Sequence, residues 1–227
     1  MSYNFDFEGL LPYWDQFAGG VWLTIQLSVA ATIAGFVLGT LCAVARTGGS
    51  AMLKAVVGAY VDVIRNTPLL VQLFIIYFGI ATLGLRIPAN VAAIVALVVN
   101  IGAYVCEIMR AGIEAVPKAQ IEAAECLGLS PAQTYWHVIL QPAVERVYPA
   151  LVSQFVLLML ASSITSQISA EELTAVANRI QSDTFLSFET YIVVGALYLA
   201  LSFLMRWTLL GIGFVVFKRQ RKLGTAL

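Results

Sequence analysis

Residues Tyr104 to Pro142 read YVCEIMRAGIEAVPKAQIEAAECLGLSPAQTYWHVILQP. This is the longest polar interruption between the hydrophobic blocks of the chain, and its punctuation predicts structure. Pro117 suits the first turn of a helix, where a missing N–H costs nothing. Lys118 to Leu127 contains no breaker, and Gly128 is a natural left-handed stop. Ser130-Pro131-Ala132-Gln133 reads as a capping box, with Ser130 as N-cap and Gln133 reaching back to it. A second short helix follows and ends near Gln141-Pro142. The stretch is a helix–turn–helix hairpin, with Ala123 and Ala124 small enough for another surface to approach closely.

On either side of the hairpin the chain is apolar. Sixty per cent of its 227 residues are hydrophobic and 11% are charged, which is not the composition of a soluble domain. Phe17 to Ala45 carries no charge over 29 residues, enough to cross a bilayer with tilt. Similar runs elsewhere give five spans, at about 17–45, 55–85, 87–109, 147–170 and 190–217. The second begins before Asn66, because Ala55 to Ile64 is mostly apolar. There Asp62 and Arg65 are spaced to pair at i,i+3, and Thr67-Pro68 allows a local kink.

Residues 1–16 form an acidic outer segment without Lys or Arg, so no cleaved signal is expected. Tyr13, Trp14 and Trp22 suit the headgroup level. Gly35 and Gly39 have the spacing that favours close helix packing. With the N-terminus outside, eleven of the thirteen Lys and Arg residues fall on the inner side and two, Arg86 and Arg179, on the outer. That asymmetry predicts N-out, C-in, with the hairpin (110–146) in the cytoplasm. The tail 218–227, opening Lys218-Arg219-Gln220-Arg221-Lys222, then acts as a topology anchor.

Polar residues inside the spans are the candidate functional groups. Asn100, Tyr104 and Glu107 share one face of span three. They either hydrogen-bond between helices, with Glu107 paired to Arg110, or form a wall of a translocation path. Asp62, Arg65, Glu107 and Arg110 lie near the inner end, as a structural ion-pair set or a gate. Span four carries Gln154 and then Ser162, Ser163, Thr165, Ser166 and Gln167, read as a second wall or as polar glue between helices. The outer loop from Glu171 has an acidic bias that suits a soluble delivery protein, or simply the positive-inside rule. Cys42, Cys106 and Cys126 read as free thiols, and His137 is the sole histidine, expected at a helix-end surface.

There is no GxxxxGK[ST] phosphate cradle, so ATP must be bound by another chain. No triad-like or metal-like cluster supports an enzyme, and no TVGYG-like filter supports a channel. Five spans without an obvious repeat suggest one half of a pore.

Glu122-Ala123-Ala124 with Gly128 and Ile139-Leu140 resembles the EAA loop of ATP-binding-cassette importer permeases. The wider Tyr104–Leu129 pattern and Arg65-Asn66-Thr67-Pro68-Leu69-Leu70-Val71-Gln72 resemble the polar amino-acid permeases of the histidine/glutamine/glutamate type. The resemblance implies an all-α, five-span permease of the type I importer fold in the inner membrane. Its partners would be a second copy or a homologous permease, two cytoplasmic ATPases holding ATP-Mg, and an external solute-binding protein. Membrane lipid surrounds it, and nucleic acid is not an expected partner. Glu122, Ala123, Ala124 and Gly128 would then couple the pore to the ATPase, and Asn100, Tyr104, Gln154, Ser162, Ser163 and Gln167 would line the path. Two departures stand out. The family's ILPQA is here Ile139-Leu140-Gln141-Pro142-Ala143, and its Lys-Asp-Thr/Ser-Ser-Leu is Leu160-Ala161-Ser162-Ser163-Ile164, without the charged pair. A neutral substrate site is expected on this half. The alternatives are a permease for another small polar solute, such as an opine, and a non-transporting membrane scaffold.

Overall fold

The structure, a computed structural model, describes residues 5–217, so the basic tail and the anchoring role expected of it lie outside the described residues. Every regular element among the described residues is helical. At the centre stands α4 (Ala89–Glu114), against which α1 (Trp14–Gly48), α2 (Ala51–Arg65), α3 (Leu69–Thr82) and α7 (Gln141–Ala161) all pack. Its sequence explains that position. Ala92, Ala93, Ala96 and Ala103 are fully buried, and small side chains let four neighbours approach one axis.

The closest of these contacts is with α1. A β-carbon at Gly39 would lie 2.5 Å from Val105 Cβ, and one at Gly35 would overlap Ile101. The Gly35/Gly39 spacing therefore does serve close packing. At 35 residues, α1 is about 52 Å long, well beyond the ~30 Å hydrocarbon core.

The second expected span is not one helix. α2 and α3 meet at a bend of 109°. Pro68 drives the preceding residue out of the helical region. Asn66 Nδ2 and Thr67 Oγ1 turn back onto the carbonyls of Asp62 and Val63, ending α2. What the sequence allowed as a local kink is a corner. Among the described residues four helical rods are long and apolar enough to cross a membrane, and a fifth crossing is counted where the bent pair is taken as one span.

In the hairpin, α5 spans Lys118–Cys126, Gly128 takes the left-handed conformation at φ 75°, and both bonds of the Ser130/Gln133 capping box form. The expected stop at Gln141-Pro142 is absent. The short α6 (Pro131–Gln133) runs into a π-helical segment, Thr134–Leu140, and on into α7. The wider π turn accommodates the proline ring and its missing donor, so Pro142 sits in the first turn of α7 rather than after a terminus. Beyond α7 the chain tightens into a 3-10 helix, Ser162–Ile168. The short α8 (Leu173–Thr184) lies against α1 and α9, and α9 (Ser187–Val216) completes the bundle.

Candidate translocation and coupling site

At the inner end, Glu107 of α4 gathers three arginines. Arg46, in the last turn of α1, hydrogen-bonds Oε1. Arg110 reaches both carboxylate oxygens, at 3.3 and 2.8 Å, and Arg65 from the last turn of α2 lies 3.8 Å from Oε2. Arg110 also bonds Glu114 at 2.7 Å, leaving this set of three arginines and two glutamates one positive charge in excess. Two of the arginines sit at helix C-termini, where the backbone dipole favours a cation.

The Glu107–Arg110 pair is as expected, but the Asp62–Arg65 pair does not form among the described residues. Arg65 instead turns to Glu107 and lies 5.5 Å over the ring of Tyr104. An exposed i,i+3 pair offers only a few tenths of a kcal/mol, whereas a half-buried carboxylate and an aromatic face offer more.

About two helical turns from Glu107 along α4, Asn100 Nδ2 donates to Gln72 Oε1 at 2.9 Å. Gln72 is buried, and its Nε2 donates to Ile64 O, Thr67 O and Thr67 Oγ1 at 2.7 to 3.0 Å. A single amide thus staples the α2–α3 corner to α4. Sequence reasoning quoted Gln72 within a motif but gave it no role. Its signal was there, since it is the lone amide in the apolar run of α3.

Span four differs from expectation. Ser162 is fully buried and donates to Met159 O at 2.6 Å, and Thr165 is buried on Ser162 O. Ser163 and Ser166 likewise bond carbonyls three residues back. The 3-10 geometry brings those carbonyls within reach, so Ser162 is removed from any accessible wall of this subunit. Gln154 is half-buried and Gln167 is exposed.

The cytoplasmic hairpin is rooted on α4. Arg146 Nη1 donates to Ala115 O at 2.7 Å, and Gly112 lies against Ala143 and Val147. Glu122, Ala123 and Gly128 are exposed at its tip, but Ala124 is buried as α5 packs on the π segment. The pair of alanines therefore has one outward and one inward member.

The outer end corrects the reading of an acidic face. Glu172 and Glu189 are both fully buried, and Glu171 pairs with Arg179 at 2.6 Å. Glu172 caps α8, accepting from Thr174 N and Ala175 N at 3.0 Å and from the Tyr198 hydroxyl at 2.6 Å. Burial pushes its carboxyl above the usual range, against those three donors. A cavity of about 590 Å³ opens beside it, with Gln16, Asn90, Ser169, Glu171 and Arg179 among its lining. All three cysteines are free thiols, and His137 is exposed on the hairpin side.

Residues 35–210 match the family described as the inner membrane component of binding-protein-dependent transport systems. The chain belongs to that family. This permease is 37% identical to the probable glutamine ABC transporter permease protein of Bacillus subtilis (strain 168) over 202 residues, 89% of this chain and 92% of the relative. It is 32% identical to the nopaline transport system permease of Agrobacterium fabrum, covering 88% of this chain and 87% of that one. Among solved structures, an amino acid ABC transporter crystallised with histidines superposes with a TM-score of 0.83 at 38% identity, over 91% of this chain and 97% of the other. The protein is a multi-pass inner-membrane permease subunit of an ABC importer with the type I permease fold.

Proposed function

We propose that this permease forms half of the pore of an amino-acid importer and takes its driving force from a cytoplasmic ATPase that docks on the hairpin tip. The observation that carries this is the rooted hairpin. Glu122 and Ala123 face outward, Ala124 anchors α5 inward, and Arg146 and Gly112 fix the base to α4. A push on α5 is therefore delivered to α4, the same rigid helix that carries Glu107, Tyr104 and Asn100. ATP-Mg belongs to the ATPase, and a solute-binding protein delivers substrate at the outer cavity. A second permease, identical or homologous, completes the path. Asn100, Tyr104, Gln154, Ser163 and Gln167 face it from this half as neutral groups. Nucleotide-driven closure can switch such a pore only if it stabilises one of two arrangements more than the other, and the Glu107 contacts, joining three helix ends, are the element to be rearranged.

The glutamine relative and the amino-acid transporter structure favour an amino-acid substrate, and the nopaline relative favours an opine as the second reading. The test is uptake in proteoliposomes containing the complex purified from its native membrane, with glutamine and nopaline as competing solutes. ATP-driven uptake is expected in the wild type, with at least a tenfold loss in Glu122→Lys while the chain still inserts. Normal ATP-driven uptake by Glu122→Lys would sink the coupling assignment.

A further inference from the structure

The amide of Gln72, which ties the α2–α3 corner to α4, fits its surroundings in one orientation only. Thr67 Oγ1 donates its proton to Val63 O at 2.9 Å, so towards Gln72 Nε2, also at 2.9 Å, it can only accept. Ile64 O and Thr67 O are carbonyls and accept from the same Nε2 at 2.7 and 3.0 Å. Turning the amide over would set Gln72 Oε1 against three oxygens, none with a free proton, at a buried position. Oε1 therefore points away from the corner, where it accepts from Asn100 Nδ2 at 2.9 Å.

The consequence falls on Asn100. With Nδ2 committed to Gln72, the group left is Oδ1, which accepts no hydrogen bond among the described residues and keeps open surface. Asn100 stands about midway along α4, on a face turned away from α1, because Gly35 and Gly39 of α1 meet Ile101, Gly102 and Val105 instead. Tyr104, one turn on along the same face, is half-buried and also has a hydroxyl without a partner among the described residues. Glu107, the next polar residue on that face, is taken up by arginines. Near the middle of the membrane this face therefore offers a solute a fixed, uncharged acceptor.

We propose that Gln72 is a positioning residue for solute selection. By locking the Asn100 amide it presents Oδ1, not Nδ2, to the path, so that the permease favours an amino acid with a carboxamide side chain over its carboxylate counterpart. This rests on the reading of α4 as a wall of the pore. A carboxamide donates an N–H to Asn100 Oδ1, and the Tyr104 hydroxyl can donate to the oxygen of the same group. A carboxylate brings only acceptors and meets Oδ1 with no proton between them. A fixed acceptor discriminates in this way because the mismatched pair leaves both groups unsatisfied. The α-ammonium and α-carboxylate are common to both solutes and cancel in the comparison.

The test is equilibrium binding of radiolabelled glutamine and glutamate to the membrane complex in nanodiscs, without its solute-binding protein, so that the permease alone selects. The wild type should bind glutamine about tenfold or more tightly than glutamate. Gln72→Met removes the lock and lets Asn100 turn either end to the path, so the ratio should fall below about threefold, with glutamate binding more tightly than before. A merely loosened corner would weaken both solutes alike and leave the ratio where it was. Asn100→Ala keeps Gln72 Nε2 on its three acceptors and the corner intact. It should lower the ratio as far, and Gln72→Met added to it should change the ratio no further. The proposal is overturned if the wild type binds neither solute, binds both equally or prefers glutamate, or if either single variant leaves the ratio unmoved. Failure of the importer reading shows separately, as absent ATP-driven uptake with the binding ratio intact.

Discussion

Two carboxylates organise the opposite ends of this permease, and they are held in different ways. Glu107, with a side chain 19% exposed at the inner end, is surrounded by guanidinium groups from three helices. Glu172, fully buried at the outer end, is held by two backbone N–H groups and a phenol. Ionic contacts at a partly wet site have no single preferred geometry, and a guanidinium can exchange one acceptor for another at small cost. Directional bonds to a buried cap have one geometry and a desolvation penalty if broken. On the proposed function the inner node is the one that rearranges, while the outer one holds α8 in place between α1 and α9.

The contrast can be broken first at Glu107. Glu107→Ala leaves Arg46, Arg65 and Arg110 facing one another without their shared acceptor. A loss of about 2 kcal/mol is expected, less than for a fully buried pair because the site is partly wet, read as a lower midpoint of thermal unfolding in detergent. An unchanged midpoint would mean the arginines are satisfied by water and the node is not structural.

Glu172→Gln should cost less, about 1 kcal/mol, since an amide oxygen keeps part of the cap. It should also change the pH response. Because burial raises the folded-state pKa of Glu172, its contribution is fully present below the ordinary carboxyl range and is lost as pH rises through the raised value. Amide exchange in Leu173–Thr184, corrected for intrinsic rates, should therefore show weaker protection as pH rises in the wild type and a flat profile in Glu172→Gln. A flat profile in both would remove the titration from the outer end. The smallest effect is that of salt. Going from 0.1 M to 1 M should weaken the inner node by a few tenths of a kcal/mol and leave the protection of α8 unchanged. Equal sensitivity at both ends would erase the distinction.

Much of the fold was legible in the chain because its signals are local. Pro117, Gly128 and the Ser130/Gln133 box act within a few residues of themselves; the last two are found in the structure as read, and Pro117 stands just before the first turn, as the extended N-cap of α5. The Gly35/Gly39 spacing marked a close contact without saying which helix would fill it. Errors arose where local grammar met a three-dimensional alternative. Pro142 looked like a terminus, and a π turn absorbed it. Asp62 and Arg65 had the spacing of a pair, and Arg65 found a better acceptor 42 residues away in sequence, at Glu107. The hydroxyl-rich stretch after Leu160 read as a polar wall or as glue between helices; its hydroxyls donate to their own backbone, and packing buries Ser162 and Thr165.

The sequence by itself determined that this is a multi-span membrane protein and that a capped hairpin interrupts it, and its charge asymmetry set the expectation of which way it faces. Hydropathy, charge asymmetry and capping depend on residue type and short spacing, so a linear reading captures them. Only the tertiary structure decided that Glu107 joins three helix ends, that Gln72 staples the α2–α3 corner to Asn100, and that Glu172 is a buried cap rather than an exposed acid. Each depends on groups distant in sequence brought together by the packing of small residues around α4. In an apolar surround a polar side chain is stabilised by finding a partner, and which partner it finds is a property of the assembled bundle.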